Sequence, residues 1–299
     1  MTDIKNKKGT DDLKRLLIYL ALSFALTWIW FALAIPKGEY WDDMSQQLQS
    51  FVALGMMFPV ISHVLTRLIT KEGFRMTGSD SMMLGISFKD SRWVCLMLAV
   101  FLPWILGEAA CGIALLISPE CYDPGYYLTL GIDRNTLMIY PIAAIVSGLI
   151  GSFAAFGEEG GWRGYMMPKL MKLMPKWAAF IVGGIIWGLW HAPLTWIGHN
   201  FGTDYPGFPY LGIVRMCIMC ILLGILLTYV TQRSGSVWPA AVMHAVYNTN
   251  PAILNGFIDP DKVSYVSGRS SYWIGSIVVL AVAAVVVLII WRKTSYEVQ

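Results

Sequence analysis

Apolar runs long enough to cross a bilayer recur along almost the whole of this chain, and that recurrence constrains the fold more than any other feature. A helix rising about 1.5 Å per residue needs about 20 apolar residues to cross a hydrocarbon core of about 30 Å. Eight such runs fall at residues 15–35, 50–70, 92–117, 137–157, 177–197, 210–231, 236–254 and 272–291. Hydrophobic residues make up 56% of the chain and charged residues 14%, well below the roughly one quarter usual in soluble domains. The sequence therefore predicts an all-α fold: a polytopic membrane helical bundle of about eight transmembrane helices, forming one integral-membrane domain over residues 1–299.

The first run is too long for the core of a signal peptide and lacks a small-residue cleavage site, so it reads as a retained span. Lys and Arg collect in alternate loops: Lys5, Lys7, Lys8, Lys14 and Arg15 before the first run, then Arg67, Lys71, Arg75, Lys89 and Arg92 after the second. Arg163, Lys169, Lys172 and Lys176 follow the fourth, Arg233 the sixth, and Arg292 and Lys293 the eighth. The other loops are poorer, with Lys37, with Arg134, and with Lys262 and Arg269. By the positive-inside rule both termini are expected to be cytoplasmic, in a multi-pass protein of the cell membrane. The outer loops 118–136, 198–209 and 255–271 and the inner segment 77–90 are too short for cores of their own.

Within this apolar background, residues 157–168 read Gly-Glu-Glu-Gly-Gly-Trp-Arg-Gly-Tyr-Met-Met-Pro. A charged side chain in hydrocarbon costs about 2.5–3.5 kcal/mol on insertion scales, so Glu158 and Glu159 together need a partner or a use. Arg163 stands four residues after Glu159, and on a continuous helix the two share a face. An internal pair of that kind leaves Glu158 for chemistry.

Other polar groups reach a similar depth. His191 lies in the fifth run, while His244 and Asn248 lie one turn apart in the seventh. Counted from Lys169, Arg233 and Lys176, Glu158, His244 and His191 are about 15, 16 and 22 Å deep at the helical rise, provided that the helix carrying Glu158 continues past Gly160 and Gly161. His63, in the second run, reads as a packing residue, and His199 as a loop residue. Trp162, Trp187 and Trp190 are candidates for the wall of a substrate groove. The five cysteines are odd in number and mostly inside apolar runs, which argues against a disulfide framework. No extended basic tract is present, so no nucleic-acid partner is expected.

A carboxylate, two imidazoles and an amide suit hydrolysis of a carbonyl compound, with Glu158 as general base on a water that His191 shares, and His244 and Asn248 as donors to an oxyanion. The same residues allow a second arrangement, in which His191, His244 and Glu159 bind zinc and the other glutamate is the base. The sequence contains no GxSxG, HExxH or phosphate loop.

Three motifs in order resemble the CPBP family, which includes the CAAX prenyl endopeptidases and the bacteriocin-processing and self-immunity proteins. Glu158-Glu159-x-x-x-Arg163 is similar to its EExxxR motif. Trp187-x-x-x-His191 stands where the family has FxxxH, and His244-x-x-x-Asn248 is similar to its HxxxN/D motif. The resembling core covers residues 140–250. The resemblance implies that Glu158 activates water, Glu159 and Arg163 orient it, His191 binds the water, and His244 with Asn248 donates to the oxyanion.

The expected function is thus an intramembrane endopeptidase that cuts a membrane-associated or lipidated polypeptide, with the lipid bilayer as its other partner. Two other classes compete with it. One is a non-catalytic membrane immunity or scaffold protein; the other is a proton- or metal-coupled transporter, which the lack of visible inverted repeats disfavours.

Overall fold

A computed structural model describes residues 2–78, 81–86, 92–259 and 268–296, with side chains over 9–78, 81–86, 92–259 and 273–292. Lys89 and Lys262, and parts of the loops 77–90 and 255–271, lie outside the described residues. So do the side chains of Lys5, Lys7, Lys8, Arg269 and Lys293. The described chain is helical, with no β-strand, and carries six helices long and apolar enough to cross a membrane.

All eight apolar runs are helical, but not all as single rods. The first is α1, Thr2–Ala34. The second is broken: α2, Gln46–Ala53, passes through a 3-10 turn at Leu54–Met57 into α3, Phe58–Thr70. Pro59 fits the first turn of α3, where its missing N–H would have no intrahelical partner in any case. Ser45 caps α2, its hydroxyl accepting from the Leu48 amide at 3.2 Å. The third run is α4, Arg92–Ile117, and α5 is a single turn at Tyr126–Thr129. The fourth run is α6, Arg134–Gly161, which continues through a π turn at Trp162–Met166 into α7, Met167–Leu173. The helix thus runs on past Gly160 and Gly161, and the whole stretch Arg134–Leu173 is 40 residues long.

The fifth and seventh runs differ most from the expected spans. α8, Lys176–Trp190, has 15 residues and stops at His191. Pro193 opens the short α9, Ala192–Trp196, because proline fits a first helical turn and not an interior. α10 spans Tyr210–Ser234 and ends at Gly235, whose φ of 70° is the left-handed C-cap that glycine adopts without strain. α11, Trp238–Thr249, has 12 residues, and α12 spans Gly268–Tyr296.

The chain divides into two compact units: residues 1–87 with 153–241, and residues 88–152 with 242–299. In the first unit α8 lies against α10 through glycine. A Cβ on Gly184 would overlap the Ile221 backbone, and one on Gly188 would lie 2.5 Å from Cys217 Cα. Gly184-x-x-x-Gly188 is the small-residue spacing that lets membrane helices approach closely. In the second unit Glu108, inside α4, finds its partners in the segment after α11. Its carboxylate accepts from the amides of Ile253 at 2.7 Å and Leu254 at 3.2 Å, and from Trp104 Nε1 at 3.0 Å.

A candidate active site around Glu158

Glycine is what makes room for the two glutamates. A Cβ on Gly157 would lie 2.5 Å from the Met56 carbonyl oxygen, one on Gly160 would lie 2.8 Å from Val60 Cγ2, and one on Gly161 would lie 2.5 Å from Pro59 Cβ. The start of α3 therefore sits directly against the end of α6, and side chains at these three positions would force the helices apart. Glu158 and Glu159 are consequently buried, at 2% and 0% exposure.

Glu159 pairs within its own helix. Arg163 Nη1 donates to Glu159 Oε1 at 3.0 Å, and both side chains are buried. The guanidinium also lies over the Trp187 ring, 3.9 Å from its centroid. Charge and π-face together offset part of the cost of burying a cation.

Glu158 is held from α8. Trp187 Nε1 donates to Glu158 Oε2 at 2.7 Å. His191 follows one turn later, its Nε2 4.0 Å from the same oxygen. Its Nδ1 is 2.9 Å from the Trp187 carbonyl. A carbonyl only accepts, so Nδ1 carries a proton and Nε2 is the nitrogen turned toward Glu158. A gap of 4.0 Å is too long for a direct hydrogen bond and is the span that one water bonded to both groups would bridge.

The three tryptophans behave differently from one another. Trp187 is taken up by Glu158 and Arg163. Trp162 and Trp190 are 0% and 1% exposed and meet edge to face at 5.7 Å. Trp190 donates to Thr27 Oγ1 at 2.9 Å, and Trp162 packs edge-on against Tyr19. Glu158, Glu159, Arg163, Trp187 and His191 thus come together in the first unit. His244 and Asn248 belong to the second, on the C-terminal half of α11, where His244 is buried and Asn248 is exposed.

The zinc arrangement fares less well. Among the described residues, no group of three or more His, Cys, Asp or Glu side chains is arranged to hold a metal ion. Glu159, its carboxylate ligand, already has Oε1 on Arg163.

The sequence offers Trp187 only as a candidate groove wall, whereas its indole holds the Glu158 carboxylate. The indole N–H, which phenylalanine lacks, is what meets Glu158. The glycines at 157, 160, 161, 184 and 188 were the visible sign that helices approach closely here.

The sequence model of the Rce1-like, type II CAAX prenyl endopeptidase family matches residues 140–250, the segment that holds all three motifs. A curated relative, CAAX prenyl protease 2 of Methanococcus maripaludis, is 28% identical over 102 residues. That match covers 34% of this chain and 38% of the relative, so it spans well under half of either protein. Both findings support the resemblance to the CPBP and CAAX-protease family.

Proposed function

We propose, on the premise that residues 140–250 form a core of the CPBP and CAAX-protease family, that the chain is a membrane endopeptidase. Its substrate class is a membrane-associated or lipidated, CAAX-type polypeptide, cut from the cytosolic side of the cell membrane. The observation that carries this reading is one carboxylate oxygen, Glu158 Oε2, fixed by Trp187 at 2.7 Å and facing His191 Nε2 at 4.0 Å.

In the proposed reaction Glu158 takes a proton from a water that it shares with His191. The hydroxide so formed attacks the scissile carbonyl carbon. Negative charge then develops on the carbonyl oxygen, and the family resemblance assigns its hydrogen bonds to His244 and Asn248. Protonated Glu158 delivers the proton to the departing amine as the C–N bond breaks, so acid and base are one residue in two steps. Arg163 and Glu159 touch no reacting atom. Their role is to neutralise one another and to hold Trp187 over the site.

The test is cleavage by the full chain in detergent of a farnesylated C-a-a-X peptide, beside unmodified membrane peptides, with products identified by mass. A single internal cut with one water added supports the reading. An intact panel with well-folded protein counts against it and favours the scaffold class.

A further inference from the structure

Behind the glutamates, α3 brings an imidazole to the backbone that carries them. His63 is fully buried, and its Nδ1 lies 2.8 Å from the Gly160 carbonyl oxygen, one residue after Glu159. Its Nε2 lies 2.7 Å from Arg67 Nε, one turn further along α3. A guanidinium only donates and a carbonyl only accepts, so these two contacts fix the ring. Nε2 accepts from Arg67, and Nδ1–H donates to Gly160.

Arg67 is itself 2% exposed and immobilised. Its Nη1 donates to the Gly73 carbonyl and its Nη2 to the Ser81 carbonyl, each at 2.9 Å. The Tyr165 ring closes the cluster, 4.5 Å from the imidazole and 5.7 Å from the Arg67 guanidinium carbon. The place where His63 binds is where α6 gives way to the π turn. A π turn holds an extra residue, so it disturbs the regular i to i+4 pairing at its edge. The Gly160 carbonyl stands at that edge and has the His63 imidazole as a side-chain partner.

Resting on the protease reading above, we propose that His63 is a positioning residue for Glu158 and Glu159. Its Nδ1–H holds the Gly160 carbonyl and with it the turn that aims both carboxylates, while Arg67 keeps the ring in the tautomer that can donate. His63 meets no reacting atom. A displacement of about 1 Å at a reacting centre can cost on the order of a hundredfold in rate, so a group that fixes this turn controls kcat without contacting substrate.

The experiment compares the full chain with His63→Leu and His63→Asn, using the farnesylated C-a-a-X peptide as probe. Leucine fills a similar volume without a donor, whereas the asparagine amide offers an N–H near the place of Nδ1. The expected result is a fall in kcat of about tenfold or more for His63→Leu, with KM within about twofold, and substantial recovery in His63→Asn. Amide hydrogen exchange over residues 157–166 is measured alongside and needs no substrate. It should quicken in His63→Leu and return toward wild type in His63→Asn. Equal impairment of the two variants, or a folded His63→Leu with wild-type kcat and exchange, overturns the proposal. A wild type that cuts nothing contradicts the protease reading instead, and the exchange comparison still decides the role of His63.

Discussion

Trp187 donates its indole N–H to Glu158 across 29 residues of sequence, at 2.7 Å, and presents the face of the same ring to Arg163. One side chain thus holds both the proposed base and the cation of the neighbouring pair. Phenylalanine would keep the face and lose the donor. A hydrogen bond to a charged group contributes about 1.5–3 kcal/mol. Trp187→Phe is therefore expected to lower kcat by roughly ten- to a hundredfold while the protein stays folded, as read by steady-state kinetics beside a thermal melt.

The Glu159–Arg163 pair is buried on both sides, so its members should matter more singly than together. Removing one partner of a buried pair costs about 3–5 kcal/mol because the other charge is left uncompensated. Arg163→Met is expected to destabilise by an amount of that order, and adding Glu159→Leu should restore part of it. Thermal unfolding of the two single variants and the double variant measures this as a coupling energy.

Helix spacing in the first unit rests on Gly184 and Gly188. A methyl at Gly188 would meet the Cys217 backbone at 2.5 Å, and backbone cannot move aside as a flexible side-chain end can. Overpacking of this kind costs about 1–3 kcal/mol. Gly188→Ala should lower the melting temperature and also reduce kcat, since α8 carries Trp187 and His191. An unchanged melt in Gly188→Ala would mean that α8 and α10 are not in contact as described.

At the end of α3, Glu72 accepts from Tyr165, from Lys169 at 3.0 Å and from Thr70 at 3.0 Å, while Lys169 also meets Asp12 at 3.3 Å. Burial pushes the Glu72 carboxyl up, but the hydrogen bonds and charge of Tyr165, Lys169 and Thr70 outweigh it, and the net shift is below the usual 4.5. A lowered folded value means that the unfolded chain takes up the proton first. The stabilisation is then fully present above pH 4.5 and is lost as pH falls through the folded value. Thermal melts should show wild type ahead of Glu72→Gln at neutral pH, with the difference shrinking under acid.

What the sequence revealed of this fold and site follows the range of the interactions. The apolar runs are local, and each became helix. The Glu159–Arg163 pair is also local, four residues apart on one helix, and it formed as the spacing predicts. The breaks inside runs were harder to place, because Pro59 and Pro193 lie within stretches that are apolar throughout. The contacts of Trp187 with Glu158 and of His63 with Gly160 join residues 29 and 97 positions apart. No periodicity encodes such pairs, so His63 read as packing and Trp187 as a wall residue. Only the glycines around Glu158 and along α8 signalled that those elements would meet.

Glu158→Gln asks whether Glu158 is the base, because the amide keeps the size of the side chain and removes its basicity. Positioned general acid–base groups contribute about 10²–10⁴-fold to rate. Cleavage of the farnesylated C-a-a-X peptide by a folded Glu158→Gln protein should therefore fall by at least about a hundredfold, with KM little changed. Cleavage at the wild-type rate by that variant would mean that Glu158 is not the base.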